Sequence, residues 1–191
     1  MIRFHAVLIV TLLAAPQMAW AEDSVLWTPS EVRGWTIAVD KTLGNGCFIY
    51  SIFEGGTSLR VGFDKLRGNA YVMLLNDKWR SIRDGNAYQI RVQFGDRAPW
   101  NASATGIRMG NSPGFIATTD KTDFVMEFMH QKGMSVTYSG REIALLSLRG
   151  TAAATDEMLR CQNAMDSGRG SAGSDPFETG SSGSGSDPFE Q

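Results

Sequence analysis

Cys47, Cys161, His5, His130 and twenty carboxylates are the residues with which this chain of 191 could do covalent or acid–base chemistry. A cysteine or serine nucleophile needs a base within hydrogen-bond reach. No G-x-S-x-G elbow marks a serine, and His5 lies in the leader. His130 falls near the end of a predicted helix, where a positive charge suits the dipole, so no triad is expected. The cysteines are too far apart for a thioredoxin-type motif, and no residues stand at metal-ligand spacing. Asp120/Asp123 and Asp156/Glu157 read as helix-start residues, and a glycosidase-type acid pair would need separate elements, such as those of Glu54 and Asp64. Gly44-x-Gly46 lacks the third glycine and following helix of a dinucleotide fingerprint, and neither a P-loop nor a calcium loop occurs. No cofactor or metal is therefore expected.

The first residues read as an export signal. Arg3 precedes the apolar run Ala6–Ala15, which is too short to span a bilayer, and Ala19-Trp20-Ala21 is a small-x-small cleavage site. The expected divisions are a signal peptide over 1–21, one β-rich domain over 22–165, and a Gly/Ser-rich tail over 166–191. In an exported chain the two cysteines are expected to pair as a structural disulfide. Residues 22–165 hold 16 Lys+Arg and 15 Asp+Glu, so no basic stripe points to nucleic acid or to an anionic membrane.

Short alternating runs then position these residues. Strands are predicted at 34–40, Cys47–Phe53, Thr57–Asp64, Asn69–Leu75, Lys78–Ile82 and Ala87–Phe94, separated by Gly/Asn/Asp turns. Trp100–Ile107 reads as a further strand, Gly110–Gly114 as a loop, and Met134–Tyr138 with Glu142–Leu148 as a hairpin. A helix is predicted over Asp120–Gln131, with Asp120 as N-cap and Phe124/Phe128 and Val125/Met129 at i,i+4. A second covers Thr151–Met165, with Thr151 as cap and Ala154, Met158, Cys161, Gln162 and Met165 on one stripe. The implied fold is mainly β (α+β): an antiparallel meander, sandwich or half-open barrel with two helices, the C-terminal one tied to the Cys47 strand by the disulfide.

Two groups of residues suggest binding. Trp79, Arg80, Arg83, Arg91, Arg97 and Trp100 combine stacking and forked hydrogen-bonding side chains of the kind favoured at interfaces, although Asp77, Asp84 and Asp96 interleave with them. In the tail, Ser-Asp-Pro-Phe-Glu occurs twice, presenting Asp175, Pro176 and Phe177 and then Asp187, Pro188 and Phe189. Its composition cannot offset ordering entropy, so the tail is expected to be disordered; its two copies are read either as a motif that gains avidity for one partner or as a slippage-prone repeat with no partner.

The segments GWTIAVD, GCFIYSIFEGGTSLRVGFD, PWNASATG and LLSLRGTAAATDEMLRCQ together resemble small exported proteins of alphaproteobacterial genomes. The resemblance covers about residues 34–162. It implies periplasmic export and pairing of Cys47 with Cys161, and that family has no assigned activity. The reading is a non-enzymatic periplasmic (or secreted) binding or accessory module with an envelope protein partner and no membrane span after cleavage. The alternatives are an envelope hydrolase using carboxylates and an inhibitor or immunity-type protein.

Overall fold

The computed structural model describes residues 23–168. The leader with its cleavage site, and both tail repeats, lie outside the described residues. Ten strands form: β1 Ser24–Val32, β2 Trp35–Asp40, β3 Gly46–Ile52, β4 Ser58–Asp64, β5 Asn69–Leu75, β6 Ala87–Phe94, β7 Trp100–Met109, β8 Ser112–Thr119, β9 Gly133–Tyr138 and β10 Arg141–Ser147. Helix α1, Thr122–His130, follows β8, and helix α2, Thr151–Asp166, follows β10. The strands make one open antiparallel sheet in the order β1-β2-β3-β4-β5-β8-β7-β6-β9-β10. The first five form a meander. The next three join in reverse, and α1 carries the chain across to place β9 beside β6. The architecture is thus the mainly β fold with two helices that the patterning implies.

Alternation places Ile37, Ile49, Leu59, Val72, Ile90 and Val136 on one face, and both helices cover that face with Phe124, Phe128, Ala154 and Met158. Trp35 links the layers: its ring meets Phe128 edge-on at 5.9 Å, and Nε1 donates to the Arg149 carbonyl at 3.0 Å. Cys47 and Cys161, both fully buried, form the disulfide across a Cα separation of 6.1 Å. Beside it the Cys47 N–H donates to Gln162 Oε1 at 2.8 Å, and Trp27 of β1 donates to Glu157 Oε1 at 2.9 Å. The C-terminal helix is therefore fixed to β1 and β3 by a covalent bond and two long-range hydrogen bonds.

The other face carries a smaller cluster around Phe48, Tyr71 and Met73. Arg60 lies across it, its guanidinium 3.6 Å from the Phe48 ring centroid, with Nε donating to Tyr71 Oη at 2.6 Å and Nη2 paired with Asp40. Gly62 makes room for this arrangement, since a Cβ there would meet Phe48 and would sit 2.9 Å from Tyr71 Oη.

Several local expectations are corrected. Lys78–Ile82 is a turn segment, because Asn76 Oδ1 accepts from the Lys78 N–H at 2.9 Å and turns the chain. Residues 112–119 form β8; Gly114 is required there because a Cβ would drive into the Leu74 carbonyl. β1 goes unread in the sequence because it is an edge strand whose register shifts between Leu26 and Glu31, so its alternation is broken. Thr151 does not cap α2. Gly150 occupies the cap with φ of 85°, where a Cβ would meet Arg33, and Thr151 Oγ1 instead donates to the Leu148 and Phe128 carbonyls. Nor does Asp120 cap α1, whose cap position is Lys121 with no side-chain bond.

Candidate binding cleft

β7 turns Trp100, Ala102, Ala104 and Gly106 toward the helices, and β8 turns Phe115 and Ala117 the same way. Apart from the aromatic residues these side chains are too small to fill the space under α1. A cleft of about 280 Å³ remains. Its floor is Val72, Leu74, Ile90 and Val92, its wall is Trp100 and Phe124, and Thr119, Asp120 and Lys121 stand at its edge; Asn101, Ser103 and Thr118 also border it, but strand register turns their side chains to the other face. The wall is held firmly. Trp100 and Phe124 meet edge-on at 5.6 Å, and Trp100 Nε1 donates to Glu127 Oε2 at 2.9 Å. Arg97 Nε approaches the other oxygen of Glu127 at 3.4 Å; its guanidinium end is largely exposed, so the pair is of small energetic weight.

At the start of α1 the cleft opens into a groove of about 380 Å³, with which it shares Thr119, Asp120 and Lys121. The groove continues past Lys65, Asn69 and Gln162 to the last turn of α2, where Lys65 Nζ bonds Asp166 Oδ2 at 3.0 Å. Asn69 Oδ1 is buried at the groove without a hydrogen-bond partner. A second, smaller cleft of about 180 Å³ lies at the opposite end of β6. There Trp79 stacks on Phe115 at 5.4 Å, and Tyr88 meets Tyr138 edge-on at 5.7 Å.

The six Trp and Arg residues singled out in the sequence divide among these places. Trp100 and Arg97 belong to the first cleft and its Glu127 support. Trp79 lines the second, with Arg80 and Arg83 exposed in the same 76–86 segment. Arg91 is exposed on β6, on the face opposite Ile90 and Val92. The residues that make the first cleft, Ala102, Ala117 and Phe124, carry no chemical signature of their own. Their signal was the run of small residues at alternate positions of β7, legible only once β7 was known to face α1.

Acid–base chemistry finds little support in the geometry. His130 Nδ1 lies 2.7 Å from the Met126 carbonyl at the end of α1. Burial opposes the charge on Asp40, but hydrogen bonds from Thr42 and Arg60 and the guanidinium charge outweigh it and hold the carboxyl below its usual range. Asp64 is held low against burial by Arg67 and by the N–H groups of Arg67 and Leu66. Both are tied up as anions in structural roles. Asp64 ends β4 and Glu54 lies in the turn before its other end, so at about 3.3 Å per residue the strand alone puts them roughly 20 Å apart, too far to act as an acid pair.

No family model and no curated protein matches this chain. Among solved structures, the crystal structure of invasion associated protein B from Bartonella henselae is similar in fold. It matches with a TM-score of 0.49 and 14% identity, over 70% of this chain and 96% of that one. No helix among the described residues is long and apolar enough to cross a membrane.

Proposed function

We propose that this protein is a non-enzymatic binding module of the periplasm (or the secreted space), and that the cleft under α1 receives an apolar side chain from a polypeptide partner. The observation that carries the reading is the unfilled cleft itself: an apolar floor from β5 and β6 with only Ala102 and Ala117 between them, a Trp100–Phe124 wall, and Thr119 and Lys121 at the edge. The leader pattern and the Cys47–Cys161 bond favour an oxidising compartment outside the cytoplasm. The involvement of carboxylates in ion pairs and turns weighs against the hydrolase alternative.

The test is an NMR titration of the chain from Glu22 to Gln191 with an uncharged pentapeptide bearing one phenylalanine. Saturable shifts at the amides of Ala102, Ala117, Lys121 and Phe124 are expected. They should be lost in Ala102→Leu, which fills the cleft while leaving its wall in place. Ala117→Leu serves as a second filling variant should the first fold poorly. A titration that leaves those four amides unmoved refutes the reading.

A further inference from the structure

The end of α2 lies at the far end of the groove that leads to this cleft. Asp166 is held at both carboxylate oxygens, by Lys65 at 3.0 Å and by Gln162 Nε2 at 3.0 Å. Lys65 and Gln162 are themselves walls of the groove that runs to the cleft. The chain beyond Gly168 therefore starts beside that groove, and 23 residues, 169–191, follow. Phe177 is nine residues past Gly168, so an extended chain at about 3.3 Å per residue carries it roughly 30 Å. β5, which flanks the groove and the cleft floor, has seven residues and spans about 23 Å by the same measure. The first phenylalanine reaches the cleft with some slack.

Chemistry agrees with reach. Phe177 is an apolar ring for a floor of Val72, Leu74, Ile90 and Val92, and Pro176 restricts the backbone before it, lowering the ordering cost. Residues 169–191 hold one arginine against four acids. Lys65 and Lys121 line the groove, Lys65 in an ion pair with Asp166, and Arg67 of the same turn is paired with Asp64. Those two pairs offset one another, and Lys121 and Asp120 offset one another at the mouth, so charge neither drives nor bars the approach of the tail. An extended backbone crossing the groove also brings N–H groups past Asn69 Oδ1, the buried acceptor without a partner.

We infer that the occupant of the α1 cleft is the tail of the same chain, with Phe177 of the first Ser-Asp-Pro-Phe-Glu copy seated on the floor of Val72, Leu74, Ile90 and Val92 against the Trp100–Phe124 wall. The inference rests on the cleft being a peptide-binding site, as proposed above. Tethering gives the motif an effective concentration in the millimolar range, enough to hold a weak ligand in place. The cleft is then closed to partners until one displaces the tail, and the second copy, twelve residues further on, stands in reserve as a replacement occupant.

The test uses the full chain from Glu22 to Gln191 and its Phe177→Ala/Phe189→Ala variant, with the uncharged phenylalanine pentapeptide as probe. The variant should shift the Ala102, Ala117, Lys121 and Phe124 amides relative to the parent, and should bind the probe roughly fivefold more tightly because no tail competes. Adding the synthetic decapeptide of residues 171–180 at millimolar concentration should restore the parent positions. Equal probe affinity in parent and variant overturns tail docking while leaving the cleft a binding site; a probe that binds neither overturns both. Shifts that fade on dilution show docking between copies and overturn the intramolecular arrangement. Shifts at Trp79 and Tyr138 in place of the four named amides assign the tail to the other cleft and likewise overturn it.

Discussion

Removing the Cys47–Cys161 bond tests the reasoning that joins sequence to fold. The two residues are separated by 114 positions, so the bond closes almost the whole domain into one loop. The chain-entropy model gives about 4.8 kcal/mol of stabilisation for a loop of that size, acting on the unfolded chain. Both cysteines have zero exposure, so alanine at each position also leaves small unfilled volumes in the core. With an unfolding entropy of about 2.1 cal/mol/K per residue, a domain of this length loses roughly 15 °C in Tm. The measurement is calorimetry of the oxidised chain, the reduced chain and Cys47→Ala/Cys161→Ala, with amide spectra to establish that all three share one fold. A fall below about 3 °C refutes the argument, because the unfolded chain would then not be constrained by the link. So would two titratable thiols in the denatured, unreduced protein.

Other substitutions probe the second face and its charges. Gly62→Ala should cost about 1–3 kcal/mol in chemical denaturation, since the added Cβ runs into Phe48 Cβ, the Cys47 carbonyl and Tyr71 Oη; an unchanged midpoint would refute so close an approach of β3 and β4 at this position. Arg60→Leu strands Asp40 in the buried cluster and should cost about 3–5 kcal/mol at neutral pH. The acid profile gives the sign. Asp40 has a folded pKa below its ordinary 3.8, so its contribution is complete above that value and is lost as pH falls through the lower folded value. In Arg60→Leu the groups that depress the pKa are reduced and burial raises it, so the Tm gap between parent and variant should narrow on acidification; a gap constant from pH 7 to pH 3 contradicts this.

How much of this was legible in the sequence follows from where the information lies. Strands with clean alternation, such as Leu59-Val61-Phe63 in β4 and Tyr88-Ile90-Val92-Phe94 in β6, show because one face is buried and the other is not. The cysteine pairing shows because the leader pattern implies export, and two interior-facing cysteines in such a chain have few other uses. β8 stayed hidden: Pro113 and Gly114 carry turn chemistry, and only the approach of the Leu74 carbonyl explains why glycine stands there. The order of the strands was hidden for a more general reason. Local patterning says nothing about the reversal that puts β8 beside β5, and that reversal brings Val72 and Leu74 alongside Ala117 to make the cleft. Trp100 stood out in the sequence by its residue type, whereas Ala102 and Ala117 matter by being small, a property that carries no signal until the opposing wall is known.

The same bonds serve stability and the proposed docking. Cys161, Gln162 and Asp166 fall within the last two turns of α2, and they are held by Cys47 of β3, by the Cys47 N–H, and by Lys65 after β4. Without these ties the last turns of α2 would fray, as helix ends do, and the origin of the tail would wander. With them, the tail starts at a fixed point beside the groove. Its effective concentration at the cleft is then set by the short segment from Gly168 to Phe177 rather than by the mobility of the helix end. Reduction of one buried disulfide thereby couples two properties that the sequence presents as unrelated, the stability of the β-domain and the access of a partner to its cleft.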